Sequence, residues 1–132
     1  MAKLIHQSGK RKRAIARATL KQGTGKVRVN NKMIDAYGTR ITRLKLKEPL
    51  VLAGDIADGV DISVSVAGGG YNSQAEAARL AIARALAKYS KKLEKVFLSY
   101  DRHLLVADIR RKEPSKPNCH GQSRAKRQKS YR

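Results

Sequence analysis

Val60-Asp61-Ile62-Ser63-Val64-Ser65-Val66 is followed by Gly68-Gly69-Gly70 and then by an alanine-rich run that reaches Ser90. Val60, Ile62, Val64 and Val66 share one face, and Asp61, Ser63 and Ser65 share the other. A strict period of two is the mark of a half-buried strand. Ser73-Gln74-Ala75-Glu76 reads as a capping box, in which Ser and Glu satisfy each other's backbone N–H groups. The alanines beyond it favour helix strongly. Ala78, Ile82, Ala85, Leu86 and Tyr89 recur on one face at spacings of three and four. Arg84, Lys88 and Lys91 lie on another, with Arg79 nearby. The small alanines let this helix lie close to a sheet.

Upstream, Ala14, Ala16, Ala18 and Leu20 alternate with polar residues that include Arg17, Thr19 and Lys21. Gln22-Gly23-Thr24-Gly25 is a turn signal, and Lys26-Val27-Arg28-Val29-Asn30 alternates again. Together they predict a hairpin with its Arg/Lys face turned away from the core. Asn30-Asn31 predicts a second turn, after which Lys32-Met33-Ile34 pairs briefly. Leu44, Leu46, Leu50, Val51 and Leu52 are interrupted by Pro49, which predicts one short helix ending near Lys47 and another starting near Pro49. The segment 54–61 then reads as a loop. Downstream, Leu93, Val96, Phe97 and Leu98 form a further amphipathic segment. Leu104, Leu105, Val106 and Ile109 suggest a last strand or packed segment.

The chain has 132 residues and a formal charge of +20. This length suits one domain with a real core. The charge is segregated. Residues 1–26 hold eight basic residues and no acid, and residues 110–132 hold nine against Glu113 alone. The 83 residues between them add only +4. Blocks of like charge at chain ends act as nucleic-acid-binding arms. From Lys112 to Arg132 the apolar residues are only Cys119, Ala125 and Tyr131, and Pro114 and Pro117 oppose helix. Too little burial is on offer there to offset chain entropy. The expected organisation is therefore a globular domain over 1–111 and an extended basic tail over 112–132, ordered on a partner.

Several classes are excluded by expectation. No run of about 18 apolar residues could form a membrane helix, and the N-terminus lacks the apolar core of a signal peptide. A single cysteine, Cys119, closes no intrachain disulfide and fits a reducing, cytoplasmic setting. Cys119-His120 with His6 and His103 lacks the spacing of a zinc site. Asp55, Asp58 and Asp61 are spaced by three rather than two, so a turn is preferred to a calcium loop. No carboxylate pair or nucleophile–base arrangement emerges, so no enzyme, no cofactor and no small-molecule substrate are expected. Asp101 and Asp108 are expected in ion pairs. Gly68-Gly69-Gly70 is neither a Walker loop nor a dinucleotide fingerprint. It is either a phosphate-binding turn at a helix N-terminus or simply a tight strand-to-helix connection. With no base-reading motif and few aromatics, the charge points to a folded RNA held by its backbone. The residues expected at that RNA are Lys10, Arg11, Lys12, Arg13, Arg17, Gly69, Gly70, Arg79, Arg84, Arg110, Arg111 and Arg124.

Gly9-Lys10-Arg11-Lys12-Arg13-Ala14-Ile15-Ala16-Arg17-Ala18 and Gly25-Lys26-Val27-x-Val29-Asn30 resemble the opening of the universal small-subunit ribosomal protein nine family. Gly68-Gly69-Gly70 with Gln74-x-x-Ala77-x-Arg79-x-x-Ile82-Ala83-Arg84-Ala85-Leu86 is similar to its central signature. Asp108-x-Arg110-x-x-Glu113 and the ending Gln128-Lys129-Ser130-Tyr131-Arg132 complete it, the ending in the manner of the archaeal and eukaryotic branch. The resemblance implies an α+β domain with a four-stranded sheet packed on helices, of the type shared with the second domain of another ribosomal protein. It implies binding to 16S-type rRNA in the head of the small subunit, among neighbouring ribosomal proteins. It also implies a tail whose end lies near P-site tRNA, with Arg132 and Ser130 in the terminal motif and Lys129 and Arg127 beside them. The segment 114–123 departs from the family pattern, which leaves the tail's path open. The alternative from another class is a basic protein subunit of an RNA-processing ribonucleoprotein enzyme; a DNA-compacting protein is a third.

Overall fold

The strand Val60–Ala67 (β5) lies third in a five-stranded sheet, with Val60, Ile62, Val64 and Val66 all buried as their spacing predicts. The computed structural model describes residues 4–114 and 116. Before β5 come strands β1 (Ile5–Arg11), β2 (Ala14–Gln22), β3 (Val27–Val29) and the two-residue β4 (Lys32–Met33). The helices are α1 (Arg40–Ala53), α2 (Asp55–Asp58), α3 (Tyr71–Tyr89) and α4 (Lys92–Tyr100). The order in space is β1-β2-β5-β3-β4. The fold is α+β with a mixed sheet of five strands, which corrects the expected four.

β2 and β3 are not hairpin partners. They run antiparallel, as a hairpin would, but β5 lies between them, antiparallel to β2 and parallel to β3. The connection therefore spans two strand spacings, roughly 10 Å, and Asp61 holds it down. Its carboxylate accepts hydrogen bonds from the backbone N–H groups of Thr24 at 2.9 Å and Lys26 at 3.0 Å. Gly23 N donates to Gly59 O, and Ile62 N donates to Lys26 O. Local alternation identifies strands, whereas their partners depend on residues far along the chain. The brief β3–β4 pairing follows the sequence reading.

Two helical boundaries also differ. α1 runs unbroken through Pro49, which is buried. A proline lacks one helical hydrogen bond, and tertiary packing holds the helix through it. Residues 55–58 form α2 rather than loop. α3 begins at Tyr71, with Gly70 as an N-cap that has no side-chain bond. Ser73 is thus inside the helix, and Glu76 binds Arg11 and Lys45 in place of closing a capping box.

α3 packs on β1, β2 and β5. Nine of its residues are buried, six of them alanines, because it is covered by the sheet on one side and by α1 and α4 on others. The centre of the core is Leu20, Leu46, Ile62, Ile82, Leu86, Phe97 and Leu104. Leu104 ends a 3-10 turn (Arg102–Leu104) and is buried, whereas Ile109 is exposed. That segment is packed but is not a strand.

Candidate nucleic-acid interface

The layers of the fold leave one side of the sheet uncovered. Along β1, Ile5 and Gly9 point toward α3, so His6, Ser8 and Lys10 point outward. Along β2 the outward residues are Ile15, Arg17, Thr19 and Lys21, and along β5 they are Asp61, Ser63 and Ser65. The register sets them in rows. Ser8, Arg17 and Ser65 are opposite one another, and the next row runs His6, Thr19, Ser63, Arg28 and Met33. Lys21 pairs in register with Asp61. Thr19, Lys21, Lys26, Arg28, Asn31 and Ser63 border a shallow hollow of about 610 Å³ on this face.

The face is cationic and hydroxyl-rich. Asp61 is the single acid among the residues of the five strands. Its two backbone hydrogen bonds, with Lys21 and Lys26 close by, hold it below the ordinary carboxylate range. Its carboxylate is engaged by the loop's backbone N–H groups, and among the described residues no ion pair joins it to Arg17 or Arg28. His6 Nδ1 and Thr19 Oγ1 are 2.7 Å apart.

At one end of the sheet the Lys12-Arg13 turn joins β1 to β2, with both residues exposed. Lys12 has φ +52, left-handed for a residue other than glycine. This turn touches the glycine turn before α3. A Cβ on Gly68 would be 2.8 Å from Arg13 O, and one on Gly69 would be 3.0 Å from Ala14 N. Gly68 and Gly69 also have positive φ. Close approach and backbone sign together require glycine at these two positions. Gly70 has neither constraint.

Four of the sequence candidates are engaged inside the molecule. Arg11 donates to Glu76 at 2.7 Å and to Asp108. Arg79 is paired with Glu48 at 2.5 Å and Asp101 at 2.9 Å, and is 16% exposed. Arg84 donates to the backbone oxygens of Leu105 at 2.9 Å and Ser8 at 2.8 Å. Arg110 pairs with Asp108, although its side chain is 80% exposed. Burial opposes the charge on Glu76 and Asp101. Hydrogen bonds from Arg11 and Lys45 to Glu76, and from His103 N–H and Arg79 to Asp101, outweigh it, so both carboxyls titrate below their ordinary values. Asp108 is held well below the carboxylate range by Arg110.

Lys10, Lys12, Arg13, Arg17 and Arg111 are the other described basic candidates; Lys10 is partly covered and the rest are exposed. Lys21, Lys26 and Arg28 are exposed on the open face with Arg17, as the predicted outward Arg/Lys face requires, although none of the three was among the individual residues expected at RNA. Arg124, Arg127, Lys129, Ser130, Arg132, Cys119 and His120 lie outside the described residues. Among the described residues no group of three or more His, Cys, Asp or Glu is placed to hold a metal ion.

A one-sided layered sandwich with a cationic sheet face defines a small basic α+β protein suited to a large polyanion. The model of the family described as ribosomal protein S9/S16 matches residues 9–132, and the chain belongs to that family. It is 48% identical over 133 residues to the small ribosomal subunit protein uS9 of Methanococcus vannielii, across 98% of this chain and 99% of that protein. The proteins of the same name from two strains of Methanococcus maripaludis are 47% identical with the same coverage.

Proposed function

We propose that the open sheet face binds small-subunit rRNA in the head of the particle and that the C-terminal tail contacts P-site tRNA. As a member of its family the chain is a structural, non-enzymatic constituent of the small ribosomal subunit, active in translation. The Methanococcus relatives are archaeal, and we place the particle in the cytoplasm. The observation that carries the RNA reading is the one-sided layering, with all packing against α3 on one face and Arg17, Lys21 and Arg28 presented on the other. Arg and Lys at such a face neutralise phosphates and release counterions, and the serine and threonine hydroxyls between them can bond backbone oxygens. The Lys12-Arg13 turn and the Gly69-Gly70 turn extend this surface, Lys10 flanks it, and the exposed Arg110 and Arg111 are further proposed phosphate contacts. Arg11, Arg79 and Arg84 support the fold beneath it.

The double variant Arg17→Glu/Arg28→Glu tests the face. It is expected to weaken binding to a head-domain rRNA fragment by roughly one to two orders of magnitude and to lower the salt slope by about two. Its circular-dichroism melting should be unchanged, since both side chains are exposed. Unaltered affinity and slope would remove the face from the interface. For the tail, Arg127, Lys129, Ser130 and Arg132 are the proposed tRNA contacts, and Arg124 is a proposed rRNA contact. Deleting residues 128–132 should leave subunit assembly intact and weaken P-site tRNA binding at near-physiological salt. Equal tRNA affinity would refute the tail assignment.

A further inference from the structure

Helix α1 carries two apolar stripes. Thr42, Leu46, Pro49 and Ala53 point into the core and are buried. On the opposite side Ile41, Leu44 and Val51 recur on one stripe and are 66%, 59% and 77% exposed. A helix that packs by one face ordinarily has a polar outer face. Here three exposed apolar residues lie on the outer face, with Arg40 and Lys47 on the same stripe as Leu44 and Val51, and Tyr100 at the end of α4, 58% exposed, continues it. Leu44, Val51, Leu52 and Tyr100, with Lys45, Lys47 and Glu48, line a shallow hollow of about 530 Å³.

The electrostatics of this side differ from the rest of the chain. Residues 34–58 contain four basic residues (Arg40, Arg43, Lys45 and Lys47) and four acids (Asp35, Glu48, Asp55 and Asp58), so the segment is neutral within a chain of +20. Several of its charges are closed internally. Lys47 pairs with Asp35 at 2.5 Å, Glu48 with Arg79 at 2.5 Å, and Lys45 with Glu76 at 3.1 Å. An RNA contact needs uncompensated cations; the sheet presents Arg17, Lys21 and Arg28 together, whereas two of the four basic residues of this segment, Lys45 and Lys47, are closed by acids. A second copy would bring another +20 against the first, and like-charge repulsion opposes that pairing. An exposed apolar patch with balanced charge suits a protein surface.

We infer that the outer face of α1, centred on Leu44 and Val51, docks an apolar, electrically neutral patch of another protein of the same particle. The inference rests on the proposed ribosomal function and assigns the protein-facing side, opposite in character to the RNA-facing sheet.

The test places a photo-crosslinking residue at position 51, and separately at position 21 on the sheet, in small subunits purified with the full-length chain. Position 51 should yield chiefly a protein adduct, and position 21 chiefly rRNA. Adducts from position 51 to rRNA or to a second copy, or none from subunits whose position 21 reacts, would overturn the inference while leaving the ribosomal reading intact. Absence of both labelled chains from the particle would overturn that reading itself. In the second arm, Val51→Glu should weaken binding to the crosslinked partner about tenfold or more, as for a central interface residue. Its affinity for the rRNA fragment should not change. Partner binding equal to that of the unaltered chain would likewise overturn the inference.

Discussion

Gly9 shows how much a single residue decides. It is buried on the helix side of β1, and a methyl group there would be 2.2 Å from Ala77 O and 2.8 Å from Ala81 N. Both obstacles are backbone, so α3 or β1 must move. Gly9→Ala is expected to destabilise the protein by about 1–3 kcal/mol, the range for overpacking a core. Urea unfolding followed by circular dichroism would read it, as the chain has no Trp. An unshifted midpoint would mean that the helix does not hold this close to the strand. Asn30 and Asn31 occupy left-handed φ values of +47° and +66° at the β3–β4 turn, where asparagine is tolerated. This turn is legible in the sequence because the residue type announces the conformation. Lys12 adopts the same region without announcing it. Asn30 does more than turn the chain, since its side chain accepts from Val66 N at 2.8 Å and donates to Val66 O at 3.1 Å. That contact links positions 36 residues apart, beyond the reach of local pattern.

At the scale of elements, Arg79 and Arg84 act as ties. Arg79 on α3 binds Glu48 of α1 and Asp101 at the end of α4. Arg84 fastens β1 and the segment after the 3-10 turn. Both are legible as basic residues of a helix, and the sequence reading places them at RNA. Spacing reports the face on which a side chain lies, not the acids that other elements bring to it. Replacing Arg79 by Met would leave two mostly covered carboxylates, Glu48 and Asp101, without their shared cation. The expected loss is about 1–3 kcal/mol, below the value for a fully buried pair because both acids reach solvent. Thermal melting would measure it. If Arg79→Met melts like the unaltered protein but alters the rRNA footprint, the side chain serves RNA rather than the fold.

For the whole molecule, pH tests the same network. The carboxyls of Asp61, Glu76, Asp101 and Asp108 all titrate below their ordinary values of 3.8 for Asp and 4.5 for Glu. A carboxylate with a depressed folded pKa contributes stability fully above its unfolded pKa. That contribution is lost as pH falls through the folded value. The melting temperature should therefore change little between about pH 7 and pH 5 and fall below about pH 4. Self-repulsion of a strongly basic chain works in the same direction. Asp108→Asn separates the two. It removes one depressed carboxyl and should flatten the acid slope, whereas a slope set by net charge alone would be the same in both proteins.

The sequence by itself determined the strand Val60–Ala67, the outward Arg/Lys face of β2, the alanine-rich helix and the segregation of charge. Each is written in neighbouring residues, since period, propensity and charge density are local properties. Family membership was legible for a similar reason, in motifs whose order and spacing survive in the chain itself. Only the tertiary structure decided that β5 separates β2 from β3, that α1 continues through Pro49, and that Arg11, Arg79 and Arg84 face acids or carbonyls instead of solvent. It also decided how α1 and α4 pack around α3 on the covered side. These outcomes depend on groups brought together from distant positions, where burial and the pairing of backbone and charge outweigh local preference.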